Sequence, residues 1–366
     1  MILTGTQESS RGANRPASSN SDQKEATTID EIQEDSSFDH QKEAEPIEIG
    51  RDKIYSVAFL PDGKHVVSGG HEGKIRRWRV EDGQEVGWPM NAGSPVFNIA
   101  VSQDEKWVVS GTRTGLVRVW NAESHSKVTE LKAHNGGVYA VDVSPHGTRI
   151  ATGSRDDTLC VWLSTGERLL GPVKHDNLVV SVKFSPNGRL IATATWDGDV
   201  RVYDSHNGGL LVQFPVQVNS TSNQSLAWAS DSKQLLALSR DGNINCLEVS
   251  SGKTPSKWRI HSSDNAMRQC IALASNGTFI AASASSSVSF WDTATHEQIG
   301  SVIKRTHPIV CMAISSNYDL VTAGSNKITV RNLCDVLPSY YSDNVSAYIT
   351  KTHVRSLSNH NPAHQS

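Results

Sequence analysis

The feature of this sequence that most limits its fold is a segment that recurs about every 40 residues. Four clear copies begin at Ile54, Val96, Val138 and Val179, and three weaker copies begin at Asn223, Arg268 and Ile309. The copies close at Trp78, Trp120, Trp162, Tyr203, Leu247, Trp291 and Arg331. Consecutive closing positions are 42, 42, 41, 44, 44 and 40 residues apart. A chain with this period consists of seven similar supersecondary units.

Within each unit the local pattern is that of β-structure. The runs "YAVDVS" and "SVKFS" alternate apolar with small or polar residues, which suits a strand with two unlike faces. Turn residues follow in "SPNG" and "SPHG", then a second strand such as "RLIATAT", a third strand that ends on the aromatic residue, and a weaker fourth such as "ERLLGPV". Four short antiparallel strands in seven units predict an all-β fold, a seven-bladed β-propeller.

Units of the form H-x3-V…SPxG…ATGSxDxTxxVW resemble WD40 repeats over about residues 47–333. The resemblance is most specific in units 2 to 4 and degenerate in units 5 to 7. It implies a ring closed by a strand from one terminus. Unit 7 lacks a fourth strand after "ITVRNL", so we expect "PIEI" at 46–49 to supply it. The style of "LLGPVKHDNLVVSVKFSPNGRLIA" looks most like the expanded WD-repeat families of fungi, some linked to incompatibility or signalling proteins.

Three regions are expected along the chain: a disordered acidic, Ser-rich tail over 1–45, the propeller over 46–334, and a mostly disordered tail over 335–366. Residues 1–48 hold 11 Asp and Glu against 4 Lys and Arg, a net charge of −7. Because the whole chain carries −3, the remaining residues carry +4. One hypothesis is therefore regulatory, with the acidic tail competing with a partner for a basic surface.

Composition also favours some compartments and disfavours some chemistries. No apolar run reaches the roughly 18–20 residues that span a bilayer, and the first residues lack the pattern of a secretory signal. Five cysteines without a close CxxC pair favour a reducing intracellular compartment, cytoplasm or nucleus, over secretion. No metal-binding, phosphate-loop or nucleophile motif is present, so we expect no catalytic residue, metal or cofactor. A propeller enzyme with an unrecognised site stays an alternative.

A histidine, a hydroxyl, an aspartate and an aromatic residue recur at fixed offsets in two units. Unit 3 has His134, Thr152, Asp156 and Trp162, and unit 4 has His175, Thr193, Asp197 and Tyr203. One unit alone could be interpreted as a catalytic triad, but two adjacent copies argue against that. The WD40 resemblance implies a structural network instead, from aspartate to histidine, from histidine to hydroxyl, and from hydroxyl to indole.

The resemblance also implies that two positions per blade reach one face, the face with the turns between second and third strands, which we call the top face. The first position holds Tyr55, Phe97, Tyr139, Val180, Gln224, Gln269 and Val310. The second holds His71, Arg113, Arg155, Trp196 and Arg240 in blades 1 to 5. Trp, Tyr and Arg often carry binding energy at interfaces. The alternative is that the aromatic rings only pack against neighbouring loops and that the arginines pair with nearby carboxylates.

These residues predict a scaffold, monomeric on its own, that binds a protein or peptide on the top face. Arginine grips carboxylates and phosphates with paired hydrogen bonds, so an acidic or phosphorylated partner is expected. Some F-box adaptor propellers read phosphorylated peptides through arginines at equivalent places. An aromatic and arginine-rich face can also stack single-stranded RNA, although the ring has no dense basic stripe.

Overall fold

A computed structural model of the chain describes residues 47–48, 52–216, 225–260, 269–338 and 340–341. The strands in these residues form seven sheets, each of four antiparallel strands. The prediction of an all-β, seven-bladed propeller is therefore confirmed. The predicted tail over 1–45 lies outside the described residues, as does most of the tail predicted after 334.

The first strand in the chain, β1 (Ile47–Glu48), precedes blade 1. Blade 1 contains β2 (Ile54–Phe59), β3 (His65–Gly70), β4 (Lys74–Arg79) and β5 (Met90–Asn91). Blade 2 contains β6 (Val96–Val101), β7 (Trp107–Thr112), β8 (Leu116–Asn121) and β9 (Lys127–Lys132). Blade 3 contains β10 (Val138–Val143), β11 (Arg149–Ser154), β12 (Thr158–Leu163) and β13 (Arg168–Lys174). Blade 4 contains β14 (Val179–Phe184), β15 (Leu190–Thr195), β16 (Val200–Asp204) and β17 (Leu210–Phe214).

The second half of the ring repeats the same order. Blade 5 contains β18 (Leu226–Trp228), β19 (Gln234–Leu238), β20 (Asn243–Glu248) and β21 (Lys253–Arg259). Blade 6 contains β22 (Ile271–Leu273), β23 (Phe279–Ala284), β24 (Ser287–Asp292) and β25 (Gln298–Lys304). Blade 7 contains β26 (Cys311–Ile314), β27 (Asp319–Gly324) and β28 (Lys327–Asn332). A 3₁₀ helix (Leu333–Asp335) follows.

The sheet of blade 7 takes its fourth strand from the other end of the described chain. β1 pairs antiparallel with β28, with Ile47 opposite Ile328 and Glu48 opposite Lys327. Ile47 also packs against the buried cluster shared by blades 7 and 1. A closed ring leaves fewer free strand edges than an open array.

The core lies between neighbouring blades rather than at the centre of the ring. Each of the seven blade interfaces in the described residues has its own buried apolar cluster. Trp120, for example, packs with Ile75 and Met90 of the preceding blade. The closing aromatic residues thus fill inter-blade space, as expected for sheets that bury one face against the next.

The ordered packing continues beyond Cys334, the end predicted for the propeller. Leu337 is 6% exposed and joins the cluster between blades 6 and 7. Tyr341 packs edge-on against Phe279, and its hydroxyl donates a 2.6 Å hydrogen bond to Asp292 Oδ2. Burial, together with this carboxylate, raises the pKa of Tyr341 to about 12. The short segment therefore belongs to the folded unit.

Candidate functional site

A β-bulge at the start of the inner strand presents the first set of top-face residues. In blades 1 to 4 the pairing of the inner strand with its neighbour skips one residue, immediately after the first. The skipped residues are Tyr55, Phe97, Tyr139 and Val180. A bulge leaves one residue outside the ladder and redirects its side chain. The sequence analysis named these residues as the first set but did not anticipate the bulge.

Three of these bulge residues form a continuous row of rings, which we call the aromatic arc (Tyr55, Phe97 and Tyr139). The rings of Phe97 and Tyr139 are stacked, with centroids 5.1 Å apart and planes 21° apart. The rings of Tyr55 and Phe97 meet edge to face at 5.8 Å. Such pairs stabilise each other by about 0.5–1.5 kcal/mol beyond area burial. The arc is therefore a preformed surface that crosses three blades.

His71 extends the arc at blade 1. Its ring lies edge-on to Tyr55 with centroids 6.4 Å apart, and the Tyr55 hydroxyl is 3.3 Å from His71 Nδ1. His71 itself is exposed. The two predicted positions of blade 1 thus come together in space.

The second set of residues is held by one repeated backbone contact. The amides of His71, Arg113, Arg155 and Trp196 each donate a 2.9 Å hydrogen bond to a carbonyl just before the inner strand of the same blade. The acceptors are Lys53, Pro95, Gly137 and Leu178. Because the contact repeats, the four side chains leave the ring from equivalent places.

Arg113 and Arg155 have charged side chains on this exposed surface. Both are exposed, and within the described residues neither guanidinium has a hydrogen bond or an ion pair. Gly137 packs closely against both the arc and Arg113. A Cβ at this position would lie 3.3 Å from Phe97 Cε2 and 3.1 Å from the Arg113 carbonyl oxygen. The backbone of Arg113 therefore packs directly beside the arc.

The remaining predicted positions behave differently. Trp196 is 44% exposed, whereas Val180 is 3% exposed and ends the arc at blade 4. Arg240 is exposed, Val310 is half-buried, and Gln224 lies outside the described residues. Gln269 is fully buried, and its amide has no hydrogen-bond partner in the described part of the chain. Among these predicted positions, the half-buried rings of the arc and the exposed Arg113, Arg155 and Trp196 lie on blades 1 to 4, and the exposed Arg240 lies on blade 5.

The predicted network is present in blade 3 as a chain of hydrogen bonds. His134 Nδ1 lies 3.2 Å from both carboxylate oxygens of Asp156, and Nε2 lies 2.7 Å from Thr152 Oγ1. Trp162 Nε1 donates to the same hydroxyl at 3.1 Å. Thr158, which the sequence analysis did not include, lies 2.9 Å from His134 Nδ1 and donates to Asp156 at 2.6 Å.

Burial controls the charge of these groups. Burial lowers the pKa of His134 below its ordinary value, against the opposing effect of the Asp156 carboxylate. Burial alone would raise the pKa of Asp156, but hydrogen bonds from Thr158 and the nearby His134 hold that pKa below its usual range. These hydrogen bonds connect the turn that carries Asp156 to the interior of the blade. The Asp156 carboxylate is occupied by hydrogen-bond donors of the protein.

Blade 4 brings only three of its four predicted residues together. His175 Nε2 lies 3.0 Å from Thr193 Oγ1 and 3.1 Å from the Tyr203 hydroxyl. Its Nδ1 lies 3.2 Å from the Val173 carbonyl oxygen, and Asp197 instead accepts a 2.6 Å hydrogen bond from Thr195. Burial, helped by the positive charge of Arg201, lowers the pKa of His175 to about 4.

The described residues contain no group of three or more His, Cys, Asp or Glu side chains arranged to hold a metal ion. They also contain no helix of the length and apolarity that a bilayer crossing requires.

Comparison with known proteins matches four stretches of this chain to one repeat family. The model of the WD domain, G-beta repeat, matches residues 46–79, 90–121, 125–162 and 169–204. This chain carries WD40 repeats. The matched stretches fall on blades 1 to 4 and the closing strand, and the seven-bladed ring extends the same architecture through blades 5 to 7.

Several curated proteins align with part of this WD40-repeat chain. "Actin-interacting protein 1" of Drosophila melanogaster is 28% identical over 160 residues, 43% of this chain and 26% of that protein. "Striatin-4" of Mus musculus is 25% identical over 162 residues, 43% of this chain and 21% of that protein. "Periodic tryptophan protein 2 homolog" of Schizosaccharomyces pombe is 30% identical over 95 residues, 26% of this chain and 11% of that protein. The alignments therefore cover about a quarter or less of each relative.

Proposed function

We propose that this WD40-repeat chain is a non-catalytic scaffold that binds a protein or peptide through the top face of blades 1 to 4. The observation that carries the proposal is the aromatic arc beside the exposed Arg113 and Arg155. Aromatic and arginine side chains are enriched among the residues that dominate protein interfaces. Because the rings already stack on one another, these side chains lose little conformational entropy when a partner docks there.

The charge of the surface suggests the chemistry of the partner. Arg113 and Arg155 have no carboxylate partner in the described residues, and their backbones sit at equivalent places in adjacent blades. Guanidinium groups pair with carboxylates and phosphates through two parallel hydrogen bonds. The partner we propose is therefore an acidic or phosphorylated segment that lies across blades 2 and 3, with apolar side chains against the arc.

The relatives support a binding role in general terms. One of them is named for its interaction with actin. Since each alignment covers a small part of the relative, the partner of this chain is proposed from its own surface.

A large cavity in the described residues does not favour the enzyme alternative. It has a volume of about 600 Å³ within the inner strands, and Asp142 is the carboxylate among its described lining residues. Asp142 Oδ1 lies 3.2 Å from Lys183 Nζ, and Oδ2 accepts a 2.8 Å hydrogen bond from the Phe184 amide. Both oxygens thus tie blade 3 to blade 4, which is a structural use of the acid.

The proposal is tested by affinity capture with the wild type beside an Arg113→Glu/Arg155→Glu/Arg240→Glu variant. Partners bound through the top face are lost from the variant. The matched control reverses three exposed basic residues elsewhere, Arg189→Glu/Lys233→Glu/Lys253→Glu, and keeps the same net charge. An identical partner set for all three proteins would contradict the proposal.

Tyr139→Ser tests the arc separately from the charge. This change removes one ring of the stacked pair, so a captured partner should bind at least about tenfold more weakly. Binding of synthetic acidic and phosphorylated peptides should then fall in the arginine variant more than in Tyr139→Ser. If single-stranded RNA binds instead, with steep loss on added salt, the RNA alternative replaces the peptide.

A further inference from the structure

One outer strand of the ring lacks the residues that keep a sheet edge from pairing with another chain. Among the described strands, the longer outer ones are β9, β13, β17, β21 and β25, and each lies at the edge of its sheet. Lysine or arginine is present in β9, β13, β21 and β25, and β13 and β21 also contain proline. Charged residues and proline at a sheet edge disfavour pairing with other strands. The sequence of β17 is LLVQF and contains none of these residues.

The same strand presents apolar side chains to solvent. Leu210 and Leu211 are 52% and 54% exposed. The pairing of β16 with β17 skips Leu211, since Val202 lies opposite Val212 and Tyr203 lies opposite Leu210. A bulge of this kind redirects the side chain that it leaves outside the ladder. The uncharged edge of blade 4 therefore carries two exposed leucines.

The inner side of β17 is firmly packed. Phe214 is 1% exposed and joins Val200 and Val202 in the cluster between blades 4 and 5. The side-chain amide of Gln213 donates to both carboxylate oxygens of Asp199, at 2.9 and 3.0 Å. Because β17 is held in this way, its outer edge needs little ordering before it accepts another strand.

We propose that β17 pairs antiparallel with β17 of a second copy of this chain, about a two-fold axis at Val212. Leu210 of one copy then lies opposite Phe214 of the other, and Leu211 lies opposite Gln213. Main-chain amides and carbonyls of the two edges pair, and no like charges meet. Because both copies use the same strand, the contact closes at a dimer.

The charge pattern favours a second copy at β17 and disfavours one at β9 of blade 2. An antiparallel pair of β9 strands would place Lys127 of one copy opposite Lys132 of the other. Like charges directly opposite each other destabilise a strand pair. At β17 each copy supplies an uncharged and exposed edge, so one contact covers two unprotected strands.

This contact is separate from the proposed protein-binding face. It uses the outer strand of blade 4, whereas the aromatic arc belongs to the inner strands of blades 1 to 3. Failure of one proposal therefore leaves the other untouched. The dimer would replace the monomer that we expected from the sequence.

Sedimentation velocity of the full chain over a range of concentrations tests the contact. One short strand pair is a small interface, so a dissociation constant on the order of 10 μM is expected. Leu211→Lys places a charge at the edge and leaves the packed side of β17 unchanged. The thermal midpoint of this variant should match the wild type, while its dissociation constant should rise at least about tenfold.

Val128→Lys is the matched control. Val128 is 49% exposed, and the pairing of β8 with β9 skips it as the pairing of β16 with β17 skips Leu211. This variant gains the same charge on the rim of blade 2 and should dimerise as the wild type does. Equal loss of the dimer in Val128→Lys and Leu211→Lys, or an unchanged dissociation constant in Leu211→Lys, would overturn the proposal.

A charge swap distinguishes a second copy from other occupants of the edge. Leu211→Glu should not dimerise alone, but an equimolar mixture with Leu211→Lys should form a heterodimer, because diagonal side chains of paired strands can reach each other. Absence of this heterodimer would contradict the two-fold register. A wild-type chain that stays monomeric, or that forms larger species instead of dimers, would overturn the proposal. Binding of a synthetic LLVQF peptide by a monomeric chain would overturn it too, and would assign the edge to a strand of another protein.

Discussion

Blades 3 and 4 carry a histidine, a hydroxyl, an aspartate and an aromatic residue at the same sequence offsets, but the side chains connect differently. In blade 3 the ring of His134 bridges Asp156 and Thr152. In blade 4 the ring of His175 contacts Thr193 and the Tyr203 hydroxyl, and its other nitrogen faces the Val173 carbonyl oxygen. The four-residue pattern therefore does not determine the network.

The difference comes from two neighbouring positions on the third strand. Blade 3 has Thr158 and Cys160 there, and Thr158 bonds to both members of the aspartate–histidine pair. Blade 4 has Asp199 and Arg201, with Arg201 Nε 2.6 Å from Asp199 Oδ2 and its Nη2 bonded to Asp176. An ion-paired arginine beside a histidine disfavours the protonated ring. Blade 4 thus buries a neutral histidine whose ring has no hydrogen bond to a carboxylate among the described residues.

The largest effect expected from this difference is a loss of stability in acid. Burial holds the pKa of His175 at about 4 in the folded chain, below its ordinary value of 6.5, so the unfolded chain binds the proton more readily. The stability contribution is complete above pH 6.5 and is lost as the pH falls towards 4. A loss on the order of 3 kcal/mol is expected in urea unfolding across this interval.

His175→Gln removes the titrating group and checks that assignment. The variant should lose less stability than the wild type between pH 6.5 and pH 4. His206→Gln, in an exposed turn, is the control and should follow the wild-type curve. Parallel curves for all three proteins would show that blade 4 does not control the acid response.

His134→Ala tests the four-membered network of blade 3. The change leaves Thr152 and Thr158 with fewer partners and the Asp156 carboxylate without its ring contact, so the free energy of unfolding should fall by about 1–3 kcal/mol. Thermal unfolding at neutral pH measures it. An unchanged midpoint would contradict a structural role for the network.

A pair of isosteric changes compares the two aspartates directly. Asp156 accepts hydrogen bonds from the Asn135 amide and the Thr158 hydroxyl in addition to its contact with His134. Asp156→Asn should therefore cost about 1–2 kcal/mol. Asp197 is exposed and accepts from Thr195, so Asp197→Asn should stay within about 0.5 kcal/mol of the wild type. Equal losses would remove the distinction between the blades.

The fold was predictable because it depends on a pattern that recurs. A β-period with turn residues repeats seven times, and five of the seven units close on an aromatic residue. A weak copy such as unit 5 therefore does not change the number of blades predicted. The resemblance to WD40 repeats implied that Tyr55, Phe97 and Tyr139 reach one face. The pattern did not predict that the rings contact one another, because these contacts depend on bulges that shift each side chain out of the ladder.

Features that depend on single residues were harder to predict. The separation of Asp197 from His175 follows from Asp199 and Arg201, which lie between positions that match blade 3 well. Tyr341 packs on Phe279 from beyond the last repeat, where no periodicity remained to indicate it.

The smallest expected effect is a change in the pKa of His175. It separates the contribution of the Arg201 charge from the contribution of burial. Arg201→Met keeps the length of the side chain and removes the positive charge that lowers the pKa of His175. Burial, the larger cause, remains, so the pKa should rise only part of the way from about 4 towards 6.5. NMR titration of the ring protons measures it, and the pKa of His134 in the same spectra is the internal control. A pKa of His175 that does not move would assign the shift to burial alone, and blades 3 and 4 would then differ in hydrogen bonding but not in electrostatics.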